Sequence, residues 1–348
     1  MSSLNPILER YTRNIRASGL SIYDPITIGD RDLWIPTPEL QALLNKSLPG
    51  ISLAGLPIRT RSKVVKQHVC RALGYPVPKS FRKTNPRFPG QAFDTYTQKS
   101  NNLQIWNQEI SPTRRYVLIR VSTEDIITSV RVVTGDTLSE LDTTGTLTQK
   151  YQARCIPGQQ STELVTPTDT SRLLSHVSPL QRHLGSPVAH PESGKLLPVS
   201  EIHRRLSKLV GHSFPDVGYD QERNRGAALH RLVCTALGYA NYQDDGQFPD
   251  VRNQLVEVKL QTSPTIDLGL VRPNDTSPLD VPMLGGDQVR HCDVRYVVFL
   301  ATTTGRTVTL TNLVVTTGES FFKRFPQFRG KVLNAKLQIP LPSDFFGS

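Results

Sequence analysis

Apolar and polar positions follow two periods along this chain, and each period predicts a different element. Over residues 6–17 apolar side chains recur at Ile7, Tyr11 and Ile15, while Arg10, Arg13 and Arg16 lie elsewhere around the axis, so a short amphipathic helix is expected. From Leu255 to Leu260 the period is two, which predicts a strand with Leu255, Glu257 and Lys259 on one face. Asp250 is expected to end a preceding strand, with a turn at Arg252-Asn253 closing a hairpin. Further helices are expected over about residues 199–211 and 222–237. A strand pair is expected over 295–302 and 307–315, across the turn Thr304-Gly305-Arg306. Gly318 then opens a short helix whose Phe321, Phe322 and Phe325 form a core-facing side.

The same order of signals occurs twice. Pro36-Thr37-Pro38-Glu39-Leu40 is echoed by Pro198-Val199-Ser200-Glu201-Ile202, each opening a helix. His68-Val69-Cys70-Arg71-Ala72-Leu73-Gly74-Tyr75 is echoed by Leu232-Val233-Cys234-Thr235-Ala236-Leu237-Gly238-Tyr239, and each glycine suits the left-handed residue that closes a helix. Arg115-Tyr116-Val117-Leu118-Ile119 answers Arg295-Tyr296-Val297-Val298-Phe299, and Val132 to Gly135 answers Val314 to Gly318. Four correspondences in one order point to a tandem duplication. Between the copies, residues 157–196 are rich in Ser, Thr, Pro and Gln and read as a surface linker. The expected domains are a helical arm (1–34), a first copy (35–156), the linker (157–196) and a second copy (197–348).

With 348 residues, the chain is long enough for two domains. It has no apolar run of membrane-spanning length and no apolar signal core at its N-terminus, so a cytoplasmic location is expected. The four cysteines form no C-x-x-C pair and suggest neither zinc nor a disulfide framework. Net charge is +11, and its distribution is uneven. Residues 1–156 carry 21 Lys+Arg against 12 Asp+Glu, whereas residues 197–348 carry 17 against 15. A polyanion such as double-stranded DNA is the natural partner.

The candidate chemistry lies in the second copy. Asp250, Glu257 and Lys259 would converge at one end of a sheet. Two carboxylates can hold a divalent cation, and a nearby lysine stabilises charge developing on phosphorus. Pro249-Asp250 followed by Glu257-x-Lys259 resembles the PD-(D/E)xK nuclease superfamily, the fold of most type II restriction endonucleases. That resemblance implies a restriction-endonuclease-like α/β/α sandwich, here in two tandem copies, and Mg2+-dependent hydrolysis of DNA phosphodiesters. It also implies a further metal-binding carboxylate on the preceding helix, for which Glu222 is the candidate. No G-x-x-x-x-G-K-[ST] sequence suggests an ATP-driven motor, so a stand-alone site-specific restriction endonuclease is the leading expectation.

Phe88-Pro89 aligns with Phe248-Pro249, and Gln91 to Gln98 align with Gln254 to Gln261. Asp94 then matches Glu257, Tyr96 replaces Lys259, and Gly90 with a deletion replaces the segment bearing Asp250. The first copy is therefore expected to be a non-catalytic, DNA-gripping pseudo-nuclease domain. Gln261 follows Lys259 on the same face and is a candidate DNA contact. So are Arg272 and Asn274 in the long insertion 264–288, and Lys323 and Arg324 after the last strand. His230 reads as a packed residue. One catalytic copy per chain leaves a homodimer or sequential nicking as routes to double-strand cleavage. The rival readings are another DNA nuclease of this superfamily, in repair, recombination or transposition, and a non-catalytic DNA-binding protein whose Glu257 and Lys259 are a solvated pair.

Overall fold

The N-terminal periodicity does fold as a helix, α1 (Pro6–Ser18), with Leu8, Tyr11 and Ile15 buried. Ile7, expected on that face, is exposed. Two steps of four residues drift by about 80° around a helix of 3.6 residues per turn, so the buried stripe runs through Leu8 instead. The computed structural model describes residues 6–106, 110–141, 151–156, 158, 160–178, 184–216, 221–329, 336–342 and 344–347. They form a mixed α/β protein with several sheets, divided into one unit of residues 1–149 with 332–348 and another of residues 150–331.

In the first unit α1 is followed by α2 (Thr37–Ser47) and α3 (Ile58–Leu73), then β1 (Phe93–Gln98), β2 (Asn102–Trp106), β3 (Arg115–Val121), β4 (Ile127–Thr134) and α4 (Gly135–Glu140). The sheet order is β1-β3-β4, with β1 parallel to β3 and β3 antiparallel to β4. Leu40, Leu44, Val69 and Leu73 on the helices pack with Val117, Ile119 and Val132 on the sheet.

The second unit contains β5 (Gln152–Arg154), β6 (Thr162–Leu164), α5 (Val199–Leu206), β7 (Ser213–Pro215), α6 (Gln221–Leu237), β8 (Val256–Gln261), β9 (Thr265–Asp267), β10 (Arg295–Thr303), β11 (Thr307–Thr317), α7 (Phe321–Arg324) and β12 (Gln327–Arg329). Its main sheet has the order β6-β11-β10-β8; β8 runs parallel to β10, and β10 antiparallel to β11. Ile202, Leu206, Val233 and Leu237 of α5 and α6 pack with Val297, Phe299 and Val315 from one side of this sheet. Tyr296, Val298 and Val314 from the other side pack with Phe321, Phe325, Ile266 and Ala153. Both faces are therefore covered, one by helices and the other by short α7 and the small sheet β12-β5-β9.

Three expectations about the second half are corrected. Asp250 ends no strand among the described residues: a three-residue 3-10 turn (Arg252–Gln254), closed by Leu255 at φ 49°, returns the chain so tightly that only Val251 bridges Val256. Leu255 thus lies outside the strand that carries Glu257 and Lys259, and the hydrogen-bonded neighbour of β8 is β10. Residues 160–178 and 184–196 belong to the second unit rather than to a surface linker. They contribute strand β6 and the buried Asp169 and His176, and their carbonyls receive hydrogen bonds from the 252–254 turn. The C-terminal strand β13 (Lys336–Pro340) pairs with β2 and so belongs to the first unit, not to the second copy as expected. No helix among the described residues is long and apolar enough to cross a membrane.

One buried guanidinium fastens each sheet to its helices. Arg295, the first residue of β10, donates to Gln254 O (2.7 Å) and Leu197 O (3.0 Å) and forms an ion pair with Asp169 (2.6 Å). Asp169 also accepts from Val199 N–H (2.9 Å) at the start of α5. In the first unit Arg115 donates to Gln91 O and Ile35 O and lies 4.1 Å over the Trp34 ring. Asp169→Ala leaves the Arg295 charge buried without its counter-ion and should cost about 3–5 kcal/mol in chemical denaturation. Glu192→Gln, which breaks a pair with both side chains more than half exposed, should stay within about 0.5 kcal/mol.

Candidate active site

The turn before β8 is built entirely of buried polar side chains. Arg252 pairs with Asp245 (2.6 Å) and donates to Val188 O. Asn253 accepts from Tyr239 Oη (3.1 Å) and Gln254 Nε2 (3.1 Å), while Gln254 Oε1 accepts from Leu197 N–H (2.7 Å). These bonds hold Asp250 at one end of the turn and Glu257 at the other.

There the two carboxylates interlock through the backbone. Asp250 N–H donates to Glu257 Oε2 (3.3 Å), and Val258 N–H donates to Asp250 Oδ2 (2.8 Å). Lys259 Nζ lies 2.8 Å from Glu257 Oε1, with Lys259 21% exposed and Glu257 only 7%. Part of Asp250 reaches solvent, but its carboxyl group lies inside the protein, and burial with the Glu257 charge pushes its pKa well above the usual carboxylate range. Lys259 and the Val258 N–H pull the other way without cancelling this. Phe248, which leads into Asp250, stacks on His291 (5.5 Å between centroids), whose imidazole pKa burial pushes down to about 4.

Among the described residues no group of three or more His, Cys, Asp or Glu side chains could hold a metal ion. Among the described residues the carboxylates that lie together here are Asp250 and Glu257. Mg2+ characteristically takes one or two carboxylates and keeps several waters, so this pair fits it. The raised Asp250 pKa marks a place where added positive charge is favourable.

The remaining candidates are dispersed. Gln261 lines a cleft of about 230 Å³ with Lys259, Arg225 and Thr262. Glu222 lies within α6, and its side chain is outside the described residues. His230 packs inside α6 against Cys234 and Gln243 O. Arg272 and Asn274 are exposed in the insertion, the former 5.9 Å from the Tyr151 ring centroid. Lys323 is exposed, whereas Arg324 is paired with Glu163 (2.7 Å). Arg225, which forms a bidentate pair with Asp216 (2.6 and 2.7 Å), went unremarked in the sequence. The register of Cys70 on Cys234 sets Arg61 opposite Arg225, and this coincidence could have identified it.

The first unit makes the same turn with different side chains. Its 3-10 turn (Pro89–Gln91) is closed by Ala92 at φ 48°, and Arg87 N–H donates to Asp94 Oδ1 (2.8 Å) as Asp250 N–H does to Glu257. The counterpart of Asp250 is thus Arg87. This corrects the expected deletion, because Phe88 occupies the position of Val251 rather than that of Phe248. Asp94 is buried near Arg114 (3.5 Å), and Tyr96 stacks on Tyr116 (5.9 Å).

Comparison with protein-family models, with curated proteins and with solved structures found no match.

The raised Asp250 pKa has a consequence for stability. An ionised Asp250 opposes folding, so its cost appears as pH rises from about 4 through the folded pKa and is fully present above it. Asp250→Asn keeps an acceptor for Val258 N–H and removes that cost. In chelator the variant should unfold at higher denaturant than the parent at pH 8, with the gap closing near pH 4. Parallel pH profiles would refute the raised pKa. Mg2+ should raise the parent's melting temperature and leave the variant's unchanged; an equal rise in both would remove Asp250 from any cation site.

Proposed function

We propose that this protein is a Mg2+-dependent DNA nuclease of the PD-(D/E)xK type, most like a type II restriction endonuclease. The second unit would cut, and the first would be a degenerate copy that grips DNA. The observation that carries this reading is the single cluster formed by Asp250, Glu257 and Lys259 at the start of β8. Burial of Glu257 weighs against the rival in which Glu257 and Lys259 are a solvated strand pair.

The fold supports the same reading. Each unit has two helices, a tight 3-10 turn, a strand parallel to its neighbour, an antiparallel partner strand and a short helix. We interpret this as the core of an α/β/α sandwich, repeated by tandem duplication. Arg87 and Tyr96 stand at the places of Asp250 and Lys259, so the first unit would lack both a cation-binding carboxylate pair and the lysine.

In the second unit Asp250 and Glu257 would hold Mg2+, which when bound supplies Lewis acidity and an acidified water. Lys259 would face the non-bridging phosphate oxygens and counter the charge that grows on them as water oxygen bonds to phosphorus and the opposite P–O bond breaks. Arg225 and Gln261, lining the same cleft as Lys259, would hold the strand beside the scissile phosphate. With one such site per chain, each encounter cuts one strand, and a double-strand break takes either a homodimer or two successive events.

The test is incubation of supercoiled plasmid and long linear DNA with the purified protein and Mg2+, followed by sequencing of the ends. Discrete fragments are expected. Lys259→Ala, Asp250→Asn and Glu257→Gln should each lower the cleavage rate by at least about 10²-fold, with DNA binding in chelator retained for Lys259→Ala. Random ends would favour a repair, recombination or transposition nuclease. Tight binding with no metal-dependent cleavage would leave the non-catalytic reading.

A further inference from the structure

A second cleft lies in the first unit. It has a volume of about 600 Å³ and opens where β1 meets the N-terminal turns of α3. Its place is that of the smaller cleft beside Lys259. Tyr96 and Gln98 line the one as Lys259 and Gln261 line the other, and Arg61 matches Arg225. The two differ in size and charge. About 600 Å³ falls within the range of pockets that enclose a small ligand, and about 230 Å³ falls below it. In the second unit Arg225 pairs with Asp216, and the acidic Asp267 also lines the cleft. In the first, Arg61 and Lys99 share the Asp125 carboxylate, with Arg61 Nη2 at 2.9 Å and Lys99 Nζ at 2.8 Å, and both line the cleft, whose lining among the described residues includes no acidic side chain.

We propose that this cleft binds one nucleotide of a DNA strand without cutting it. Arg61 and Lys99, the charged side chains of the lining, suit a phosphate, and the aromatic Tyr96 suits a base. Asn102 lines the same cleft, and its Oδ1 is buried with no hydrogen-bond partner among the described residues. A base edge bringing an N–H donor would satisfy it. Hydrolysis does not follow, because Arg87 and Tyr96 occupy the positions that Asp250 and Lys259 hold in the other unit. The inference takes from the nuclease reading only the identity of its ligand as DNA.

The experiment measures fluorescence anisotropy of a fluorescein-labelled single-stranded oligodeoxynucleotide with the full chain in chelator, over a range of salt concentrations. Arg61→Gln and Lys99→Gln should each weaken binding about tenfold and reduce the slope of log K against log salt by about 0.7, the value for one phosphate contact on a single strand. Lys46→Gln removes a charge of the same sign from an exposed position outside the cleft and should change neither. Lys99, half exposed, keeps the test open if Arg61→Gln fails to fold. Binding by both cleft variants as tight as the parent's would overturn the proposal, as would equal weakening by Lys46→Gln. Cleavage by the parent with no effect of the cleft variants leaves the nuclease reading standing and this one fallen; cleft-dependent binding without cleavage does the reverse.

Discussion

The arrangement in the second unit depends on keeping one guanidinium out of water. Arg295 is fully buried, and a charge there is tolerable only because a carboxylate and two carbonyls surround it. Those partners come from three separated places in the chain: Asp169, the turn before β8, and the entry to α5. Satisfying one charge therefore fixes the start of β10 against the turn and the helix layer together. β8 is then set in parallel register on β10, with Glu257 opposite Tyr296. The position of Asp250 relative to Glu257 follows from that register, not from any direct bond between their side chains.

The first unit keeps the frame and exchanges the chemistry. Arg115 holds Gln91 O and Ile35 O as Arg295 holds Gln254 O and Leu197 O. Ile35 N–H donates to Gln91 Oε1 as Leu197 N–H donates to Gln254. Close backbone approach is shared as well: a Cβ on Gly135 or Gly318 would meet a carbonyl oxygen at 2.1 or 2.4 Å. What changes are the side chains that the frame presents. Buried Asp94, its pKa raised chiefly by burial, stands beside Arg114, where the second unit has two carboxylates and a lysine.

This division explains which parts of the molecule could be read from sequence. Glu257 and Lys259 were legible because period two is a local property, and their ion pair needs only a strand. The long helices and the β10–β11 pair were legible for the same reason. The expected hairpin failed because its geometry was set by a 3-10 turn whose polar residues bond to distant carbonyls, none of them marked by any periodicity. Residues 160–178 and 184–196 read as a linker because their buried positions, Asp169, Leu173, His176 and Leu196 among them, follow no period, and composition does not distinguish a carbonyl that faces solvent from one that receives Arg252. Arg87 was misaligned because the sequence offers a second Phe-Pro pair three residues from the structural match.

The electrostatics of the proposed site also bear on the uneven charge of the chain. An ionised carboxylate pair behind the cleft would repel a phosphodiester until a cation joined it, and Lys259 is already engaged by Glu257. A nuclease built on such a site needs its attraction for DNA to come from elsewhere. The excess of positive charge in residues 1–156 would meet that need, and Arg87 stands there where the second unit has Asp250. On the proposed reading, an arginine in place of one carboxylate would do two things at once: it would remove a cation ligand and remove a repulsion that weakens the hold. On this view the first unit is constrained by charge where the second is constrained by geometry, and the turn's backbone hydrogen bonds persist in both because each function needs the same frame.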